Sequence, residues 1–591
     1  MSRSALIATT ALLTVFAAAA RAADAPVFTA VPAPADDAAK REVIASPDVT
    51  VDGSKAAIGY QTILRTGQKV GSGVFGQILD VKGQPILGKD GAPMVSPSTD
   101  FSSLLQKDGK LYIVSHFETR PAAVYVTEVE QADDGKLIAL DTQPVDFSAD
   151  WGLWVPCAGS VTPWGTHLGS EEYEPDAAKV AAAASVEELQ KLEEDPTAMA
   201  MYFGFDPGKD DVTAFHKVFN PYAYGYITEI GLGDGGKATG GKHYAMGRFA
   251  HELGIVLPDR KTVYLTDDGT NVGLYRFVAD EAGKLDAGTL YAAKWTQTGA
   301  ENGGAADISW IDLGHADSAA VKKLVAEGTR FADIFDTAAM ADDGTCPEGF
   351  GGSVANGVRE CLKVKDGMDL AASRLETRRY AALKGATVEL RKEEGITYDP
   401  DHNRLYVAIS EISNGMEDKA SKGKESAKYD VGGSNDIKLA YNPCGGVYSL
   451  DLDEDHVATT MKAVIVGKPH KYADGEAWAG NTCDIDGLAN PDNISYLPGR
   501  DTLFIGEDTG TGHQNDAVWA LNLTSGNLTR ILTTPYGAET TSVYAYPNVN
   551  GHGYLMAVVQ HPYGESDEDK LQSPDQAQAY LGYVGPLPKL D

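Results

Sequence analysis

Acidic residues occur at several places beside a second acid, a histidine or an asparagine, and such acid pairs could bind metal ions. They are Glu171-Glu172, His251-Glu252, Glu393-Glu394, Asp484 with Asp486, and Asp492-Asn493. Carboxylate oxygens suit calcium, and a thiolate would add a softer ligand for iron or zinc. A single acid pair is usually a solvated surface feature. The recurrence of these pairs at matching places in a repeat favours a shared metal site.

Short apolar runs that follow turns predict buried β-strands, which would position these acids. The runs are residues 110–115, 166–172, 262–268, 404–411, 502–508 and 553–559. Behind most of them comes an aromatic hairpin pattern, at residues 123–126, 201–204, 273–276, 446–449 and 517–520. Roughly six copies of an inner strand plus an outer hairpin are typical of a β-propeller.

The predicted fold is therefore all-β, a six-bladed β-propeller formed by residues 23–591 as a single domain. Insertions are expected near 177–200, 318–380 and 414–440, with helices over 177–200 and 318–327 and a polar loop over 414–440. Inner strands of a propeller line its central channel, so acids at the ends of those strands should converge there.

The first 22 residues predict an export signal. A charge at Arg3, an apolar run and a small-residue site at Ala20-Arg21-Ala22 are typical of a cleaved secretory peptide, without the adjacent arginines of a twin-arginine signal. We expect a periplasmic or secreted protein with no membrane span in its mature form, and a monomer. The formal net charge of −34 disfavours nucleic acid as a partner. An anionic substrate would need bound cations to reverse the local field.

Five cysteines occur in the chain. In an oxidising compartment Cys346 and Cys361, which flank a Gly-rich stretch, can close a loop, and Cys444 and Cys483 can form a second pair. Cys157 is left over. A free cysteine is usually a small buried apolar residue.

Six segments of the chain together carry a resemblance to a known family. Cys157-Ala-Gly-Ser-Val-Thr-Pro-Trp-Gly-Thr resembles the Cys-Ala-Gly-Gly-x-Thr-Pro-Trp-Gly-Thr segment of the PhoX family of bacterial alkaline phosphatases, and Gly247-Arg-Phe-Ala-His-Glu252 resembles its Gly-Arg-Phe-x-His-Glu. Further matching segments are Glu394-Gly-Ile-Thr-Tyr-Asp399, Ala489-Asn-Pro-Asp-Asn493, Gly537-Ala-Glu-Thr540 and Gln560-His-Pro562. The resemblance spans about residues 150 to 565.

The resemblance implies a channel mouth that holds ferric iron (Fe3+) and calcium (Ca2+). Cys157 and Glu252 match iron ligands, and Glu172, Glu394 and Glu539 match further metal ligands. Asp492, from the acid pairs, is a further candidate ligand. Asn493 matches an asparagine near the substrate phosphate, with Asn490 as a competing choice.

The implied activity is hydrolysis of small phosphate esters by a metal-activated oxygen nucleophile, with Glu394 at the reacting centre. Lys392 stands where the family has an arginine that binds the phosphate. A lysine can bind phosphate only as a point charge, without the two parallel hydrogen bonds of an arginine, unless the strand bulges and Arg391 takes this role.

Two other functions fit the same pattern. One is a calcium-dependent propeller hydrolase of lactones or carboxylic esters, since a fold alone does not set function. The other is a binding propeller of the cell envelope whose carboxylates hold structural calcium.

Overall fold

The computed structural model describes residues 23–591, and antiparallel β-strands form most of its regular secondary structure. The predicted signal peptide at 1–22 lies outside the described residues. None of the helices within 23–591 is long and apolar enough to cross a membrane.

Six four-stranded units dominate the described chain, and we number them as sheets 1 to 6. Sheet 1 contains Thr99–Lys107, Lys110–Phe117, Ala123–Gln131 and Leu137–Pro144. Sheet 2 contains Gly159–Val161, His167–Gly169, Thr228–Leu232 and Ala238–Lys242. Sheet 3 contains His251–Val256, Thr262–Asp267, Tyr275–Glu281 and Lys284–Gly299. Sheet 4 contains Glu393–Asp399, Arg404–Ile409, Gly446–Leu452 and Ala458–Val466. Sheets 3 and 4 are joined by one further strand into a single nine-stranded sheet.

The last two units recruit strands from the beginning of the described chain. Sheet 5 contains Pro491–Leu497, Thr502–Glu507, Ala517–Asn522 and Leu528–Thr533, with Ile44–Ala45 on its outer edge. Sheet 6 contains Glu539–Val549, His552–Gln560, Tyr580–Pro588 and, as its outer strand, Gly59–Arg65. The Arg65 guanidinium stacks 3.6 Å from the ring centre of Tyr580. The two ends of the described chain are therefore joined within one sheet.

The first strands of successive sheets contact one another in chain order, and the first strand of sheet 6 contacts that of sheet 1. Apolar side chains fill the space between neighbouring sheets. Leu104 and Ile113 of sheet 1 share a core with Met556 of sheet 6, and Tyr406 of sheet 4 packs with Trp519 of sheet 5. Each fully buried apolar side chain of this size contributes roughly 1.5–3 kcal/mol, so these shared cores hold the sheets together.

Shorter elements decorate this framework. The long strand Ala305–Asp317 pairs with the last strands of both sheet 3 and sheet 4. The remaining short strands are Val27–Phe28, Asp48–Val51, Ser54–Ala57, Lys69–Val70, Gly73–Val74, Thr270–Val272, Phe335–Ala338, Gly351–Ser353, Glu360–Val364, Leu390–Arg391, Ala420–Ser421 and Lys424–Glu425. The α-helices are Ala177–Ala182, Val186–Leu189, Pro196–Ala200, Val212–Val218, Ser318–Ala326, Phe331–Ile334, Asp369–Leu375 and Thr377–Leu383.

All six predicted inner strands are present, but each lies one strand further from the inner edge of its sheet than predicted. Residues 110–115, 166–172, 262–268, 404–411, 502–508 and 553–559 all contain strands, yet each is the second strand of its sheet. The first strands lie one step earlier in the chain. Their more polar sequences, such as that of Thr99–Lys107, lack the apolar run that marks a buried strand.

The predicted hairpin at 201–204 is wrong, because local capping makes this segment helical. Asp195 accepts a hydrogen bond from the backbone N–H of Thr197, and Pro196 occupies the first helical turn. The helix Pro196–Ala200 runs on into the 3-10 turn Met201–Phe203 and ends at Gly204, whose φ is 86°. Likewise, the helix predicted over 177–200 is three short helices, because Ser185 and Asp195 each begin a new one.

The helix predicted over 318–327 is confirmed as Ser318–Ala326. Both suggested disulfides are present, Cys346–Cys361 and Cys444–Cys483. Cys157 is the one free cysteine among residues 23–591, and it is buried.

Candidate metal centre

Acidic side chains stand near the start of five of the six first strands. They are Asp100, Glu252, Glu394, Asp492 and Glu539. In each of these strands the pairing register shifts within the first few residues, which marks a β-bulge or similar irregularity. Bulges re-aim side chains next to functional sites. In sheet 2 the corresponding position is held by Cys157, two residues ahead of Gly159–Val161.

Three trios form when Glu118 and Glu172 are added to these side chains. Within each trio the ligand atoms lie within 4.8 Å of one another. The trios are Cys157 with Glu172 and Glu252, Glu252 with Glu394 and Asp492, and Cys157 with Asp100 and Glu118. Cys157 and Glu252 each belong to two trios, so the trios form one continuous group, which we call the carboxylate cluster. The exposed fractions of Glu172, Glu252, Glu394 and Asp492 are 2%, 1%, 3% and 3%.

The electrostatics of the carboxylate cluster oppose full ionisation of its acids. Burial, with the nearby charge of Asp492, raises the pKa of Asp100 to about 7. Burial, with the charge of Asp508, raises the pKa of Asp492 to about 7. Burial followed by neighbouring carboxylates raises the pKa of Glu252 and Glu394 well above the ordinary value, and burial also raises that of the Cys157 thiol. The group can carry its full charge only with compensating cations.

Unpaired oxygens show that metal ions fit this cluster. Asp100 Oδ1, Glu252 Oε1 and Asp492 Oδ1 are buried and have no hydrogen-bond partner among the described residues. An unpartnered buried carboxylate oxygen costs several kcal/mol unless a cation or a proton compensates it. Carboxylate oxygens suit hard cations, and the single sulfur adds one softer ligand.

Glu539 and Asp508 complete the acidic surroundings of the cluster. The charges of Asp508 and Asp492 raise the pKa of Glu539, after the larger effect of burial. Opposite them, Lys392 Nζ lies 3.1 Å from Glu394 Oε1 and 3.2 Å from Asp508 Oδ2. Lys392 is therefore the cation of the chain that contacts Glu394.

Arg391 and Lys392 both reach one cavity beside the cluster. Lys392 has a φ of 47°, and it separates the short strand Leu390–Arg391 from Glu393–Asp399, so regular strand structure is interrupted at this residue. The Arg391 guanidinium lies 3.2 Å from Glu411 Oε2 and donates to the carbonyl of Gly269 at 3.1 Å. Both side chains line a cavity of about 510 Å³, together with Asp268 and Tyr173.

The two asparagines differ in what they hold. Asn493 Nδ2 donates to Asp492 Oδ2 at 2.9 Å, and its Oδ1 accepts from the backbone N–H of Ser542 at 2.9 Å. Asn493 thus orients a member of the cluster. Asn490 Nδ2 instead donates to the carbonyls of Ser410 and Pro443, which ties two loops together.

Other acids from the sequence pairs do not join the cluster. Glu171 pairs with Lys242 at 2.8 Å and accepts from three backbone N–H groups, at Trp154, Gly225 and Tyr226. The Asp486 side chain is 84% exposed and lies beside Arg530. Glu393 is buried next to Asp267 rather than in any of the trios.

Asp100 and Glu118 of the cluster, and Asp268 and Asp508 beside it, belong to none of the five pairs described above. Asp100 lies on a first strand, Thr99–Lys107, that the apolar pattern does not predict. Tyr173 Oη donates a hydrogen bond to Asp268 Oδ2. Burial raises the pKa of Asp268, but the charge of Lys392, hydrogen bonds with Glu172 and Tyr173 and the charge of Arg391 together lower it below the ordinary value. The position of Asp100 in the repeat, just upstream of strand 110–115, was the one available signal.

A buried chain of hydrogen bonds supports Cys157 from behind. His116 Nδ1 lies 2.6 Å from the Cys157 carbonyl, and its Nε2 lies 2.7 Å from His167 Nε2. His167 Nδ1 in turn lies 2.7 Å from Ser103 Oγ. The carbonyl can only accept, so His116 donates to it, His167 donates to His116, and Ser103 donates to His167. Burial lowers the pKa of His116 to about 4, so this imidazole is neutral at ordinary pH, as the directions of these hydrogen bonds require.

Comparison with known proteins gives one family and one shared fold. Residues 131–562 match the family model of alkaline phosphatase PhoX. A solved structure of Pseudomonas fluorescens PhoX in complex with vanadate, a transition state analogue, aligns over 96% of this chain and 98% of that chain, with a TM-score of 0.60 and 18% identity. A periplasmic gluconolactonase of Pseudomonas aeruginosa covers 81% of this chain and 97% of its own, with a TM-score of only 0.30 and 10% identity. No curated protein matches the chain.

Proposed function

The chain belongs to the PhoX family of alkaline phosphatases and is a phosphoric ester hydrolase, and from that premise we propose how its residues hold metals and substrate. The fold is PhoX-like and mostly β. We take its six sheets to be the six blades of one propeller domain over residues 23–591. The closed order of contacts among the first strands supports this arrangement.

The proposed metal ligands are Cys157, Glu172, Glu252, Glu394, Asp492 and Glu539, joined by Asp100 and Glu118. The observation that carries this assignment is the set of three overlapping trios, in which buried carboxylates surround one buried thiol. Fe3+ would take the thiolate and Glu252, and Ca2+ would take ligand sets made of oxygen alone. When bound, these metals supply Lewis-acid activation of the phosphate and of the attacking water.

The chain's own residues then bind and orient the ester. Arg391 and Lys392 line the 510 Å³ cavity, and they are the cations best placed to hold the non-bridging oxygens of a phosphate. Glu394 lies between the metal ligands and Lys392, at 3.1 Å from its ammonium, so it keeps that cation at the reacting centre. Asn493 holds Asp492 in its orientation through the 2.9 Å hydrogen bond.

An exported enzyme fits these features. The two disulfides support folding in an oxidising compartment, such as the periplasm or the extracellular space. Small phosphate esters are the expected substrates, and the enzyme is expected to act as a monomer.

The test is a metal analysis combined with a turnover assay. The purified protein should contain iron and calcium, show a thiolate-to-iron absorption band, and hydrolyse p-nitrophenyl phosphate at alkaline pH. C157S should lose the band and most of the activity. A colourless, iron-free protein that cleaves lactones but no phosphate ester would contradict the proposal.

A further inference from the structure

The polar segment 414–440 contains an acidic group that the carboxylate cluster does not include. The segment folds back on itself, with a bridge between Glu417 and Leu439 and a small hairpin of Ala420–Ser421 and Lys424–Glu425. Lys428 and Tyr429 from this segment form part of the wall of the 510 Å³ cavity.

Asp430 follows this wall directly and has an unusual environment. It is only 3% exposed, and neither of its carboxylate oxygens has a hydrogen-bond partner among residues 23–591. The backbone N–H of Lys419 faces the carboxylate and partly compensates its charge, but outside hydrogen-bonding geometry. A buried carboxylate without partners must either hold a proton or meet a cation.

Three other side chains of the same segment, Asn435, Asp418 and Glu417, offer oxygen atoms for a cation. Asn435 Oδ1 is buried and also has no partner in the described part of the chain, while its Nδ2 donates to Asp418 Oδ1 at 3.0 Å. Glu417, which is 3% exposed, accepts from the backbone N–H groups of Asn414 and Gly423. Burial, followed by the charges of Asp418 and Glu417, raises the pKa of Asp430 to about 6.

We propose that Asp430, Asp418 and the Asn435 carbonyl bind a calcium ion that is separate from the carboxylate cluster. Calcium takes six to eight oxygen ligands from carboxylates, amide carbonyls, backbone carbonyls and water. The group offers oxygen donors and no sulfur or imidazole, so it favours calcium over iron or zinc. Both carboxylate oxygens of Asp430 and the Oδ1 of Asn435 are buried atoms that otherwise have no partner among the described residues.

A bound ion would fix the cavity wall, because Asp430 is joined directly to Tyr429. Asn271 Nδ2 already donates to the Tyr429 carbonyl at 2.7 Å and anchors the wall from the sheet 3 side. The ion would anchor it from the other side. Calcium binding at this group does not depend on the proposed function of the carboxylate cluster, although the effect on the cavity does.

The test compares D430N with E425Q, which removes an exposed acid of the same segment. Calcium and iron are counted in each purified protein, and trypsin cleavage after Lys419, Lys422, Lys424 and Lys428 is followed with calcium and with EGTA. D430N should lose one calcium per chain at unchanged iron, and its segment should be cut at least about tenfold faster in calcium than the wild-type segment. E425Q should match the wild type in both measurements.

Unchanged calcium content and unchanged protection in D430N would overturn the proposal and leave Asp430 as a protonated buried acid. If D430N also loses iron, the variant is misfolded and D418N decides. Asp418 is exposed, so its replacement does not disturb packing. Loss of one calcium at constant iron in D418N would support the site, and no loss would overturn it.

Discussion

Two buried acidic regions of this protein differ in how their charge is compensated. In the first, the arginine cluster, the Arg378 guanidinium donates to both carboxylate oxygens of Asp267 and pairs with Glu174 at 2.9 Å. Arg379 pairs with Glu360 and Glu376, each at 2.7 Å. Burial raises the pKa of the adjacent Asp176, but Arg379 and Lys179 together lower it below the ordinary value. The acids of this region are balanced by the chain itself.

The second region, the carboxylate cluster, contains similar acids at similar burial, but among residues 23–591 only one lysine or arginine, Lys392, contacts them. Raised pKa values and unpaired oxygens occur in both regions, at Asp267 and Glu174 in the first and at Glu252 in the second. Buried acids alone therefore do not identify a metal site. The missing arginines do, because the charge must then be balanced from outside the chain.

The largest expected effect concerns the arginine cluster. R378M leaves Asp267 and Glu174 buried without their partner, so the free energy of unfolding should fall by about 3–5 kcal/mol. Denaturant titration measures this change. R330M is the matched control, since the Arg330 side chain is 73% exposed and its pair with Asp333 is worth about 0–1 kcal/mol. Equal losses in the two variants would show that the buried pairs of Arg378 are worth no more than an exposed pair, and the chain would then not balance these acids.

The corresponding change in the carboxylate cluster should affect activity rather than folding. Glu252 belongs to two trios, so E252Q should lower kcat/KM at least about 100-fold and reduce metal content, while the unfolding free energy of the metal-free protein stays equal or rises. E348Q, at an exposed acid, is the control. Full metal content and activity in E252Q would remove Glu252 from the site.

A pH prediction concerns another compensated group, His243. It lies 2.8 Å from Glu229 and 3.5 Å from Asp286. Burial lowers its pKa, but these two carboxylates outweigh burial and raise the pKa to about 9, from 6.5 in the unfolded chain. The folded protein therefore holds this proton more tightly.

The stabilisation by His243 is complete below pH 6.5 and is lost as the pH rises through about 9, by roughly 3 kcal/mol. Unfolding curves of the wild type and H243Q should thus converge between these pH values. Curves that stay parallel would show that His243 is neutral throughout, and H315Q, at an exposed histidine, serves as control.

The smallest expected effect concerns the phosphate grip. K392R restores the bidentate fork and should raise kcat/KM for p-nitrophenyl phosphate several-fold, whereas K392M should lower it about tenfold. R391M should act in the same direction as K392M if both cations hold the phosphate. If neither K392M nor R391M alters kcat/KM, the cavity lined by these residues is not the phosphate site.

The sequence predicted the repeated sheets better than the strands that carry the chemistry. Second strands such as Arg404–Ile409 are continuous apolar runs behind turns, so their pattern is plain. First strands begin with polar residues because they face the carboxylate cluster, and this hides them from a search for apolar runs. The hairpin error at 201–204 has a different cause, since capping by Asp195 decides that segment locally.

Site residues were predictable where the sequence held a pair or a motif. Cys157 was left over by pairing the other cysteines, and Glu252 and Glu394 stood in recognisable segments. Asp100 and Glu118 reach the Cys157 thiol only through the packing of sheet 1 against sheet 2, which no local pattern reports. The unpaired state of Asp430 also depends on three-dimensional surroundings alone.

The central claim is that cations from outside the chain balance the carboxylate cluster, and metal removal tests it most directly. The purified enzyme is stripped of metal with a chelator, and then iron and calcium are restored while hydrolysis of p-nitrophenyl phosphate and thermal stability are followed. We expect activity and the absorption band to disappear together and to return together, with a rise in unfolding temperature on reloading. A stripped protein that hydrolyses the ester at its original rate would contradict the account.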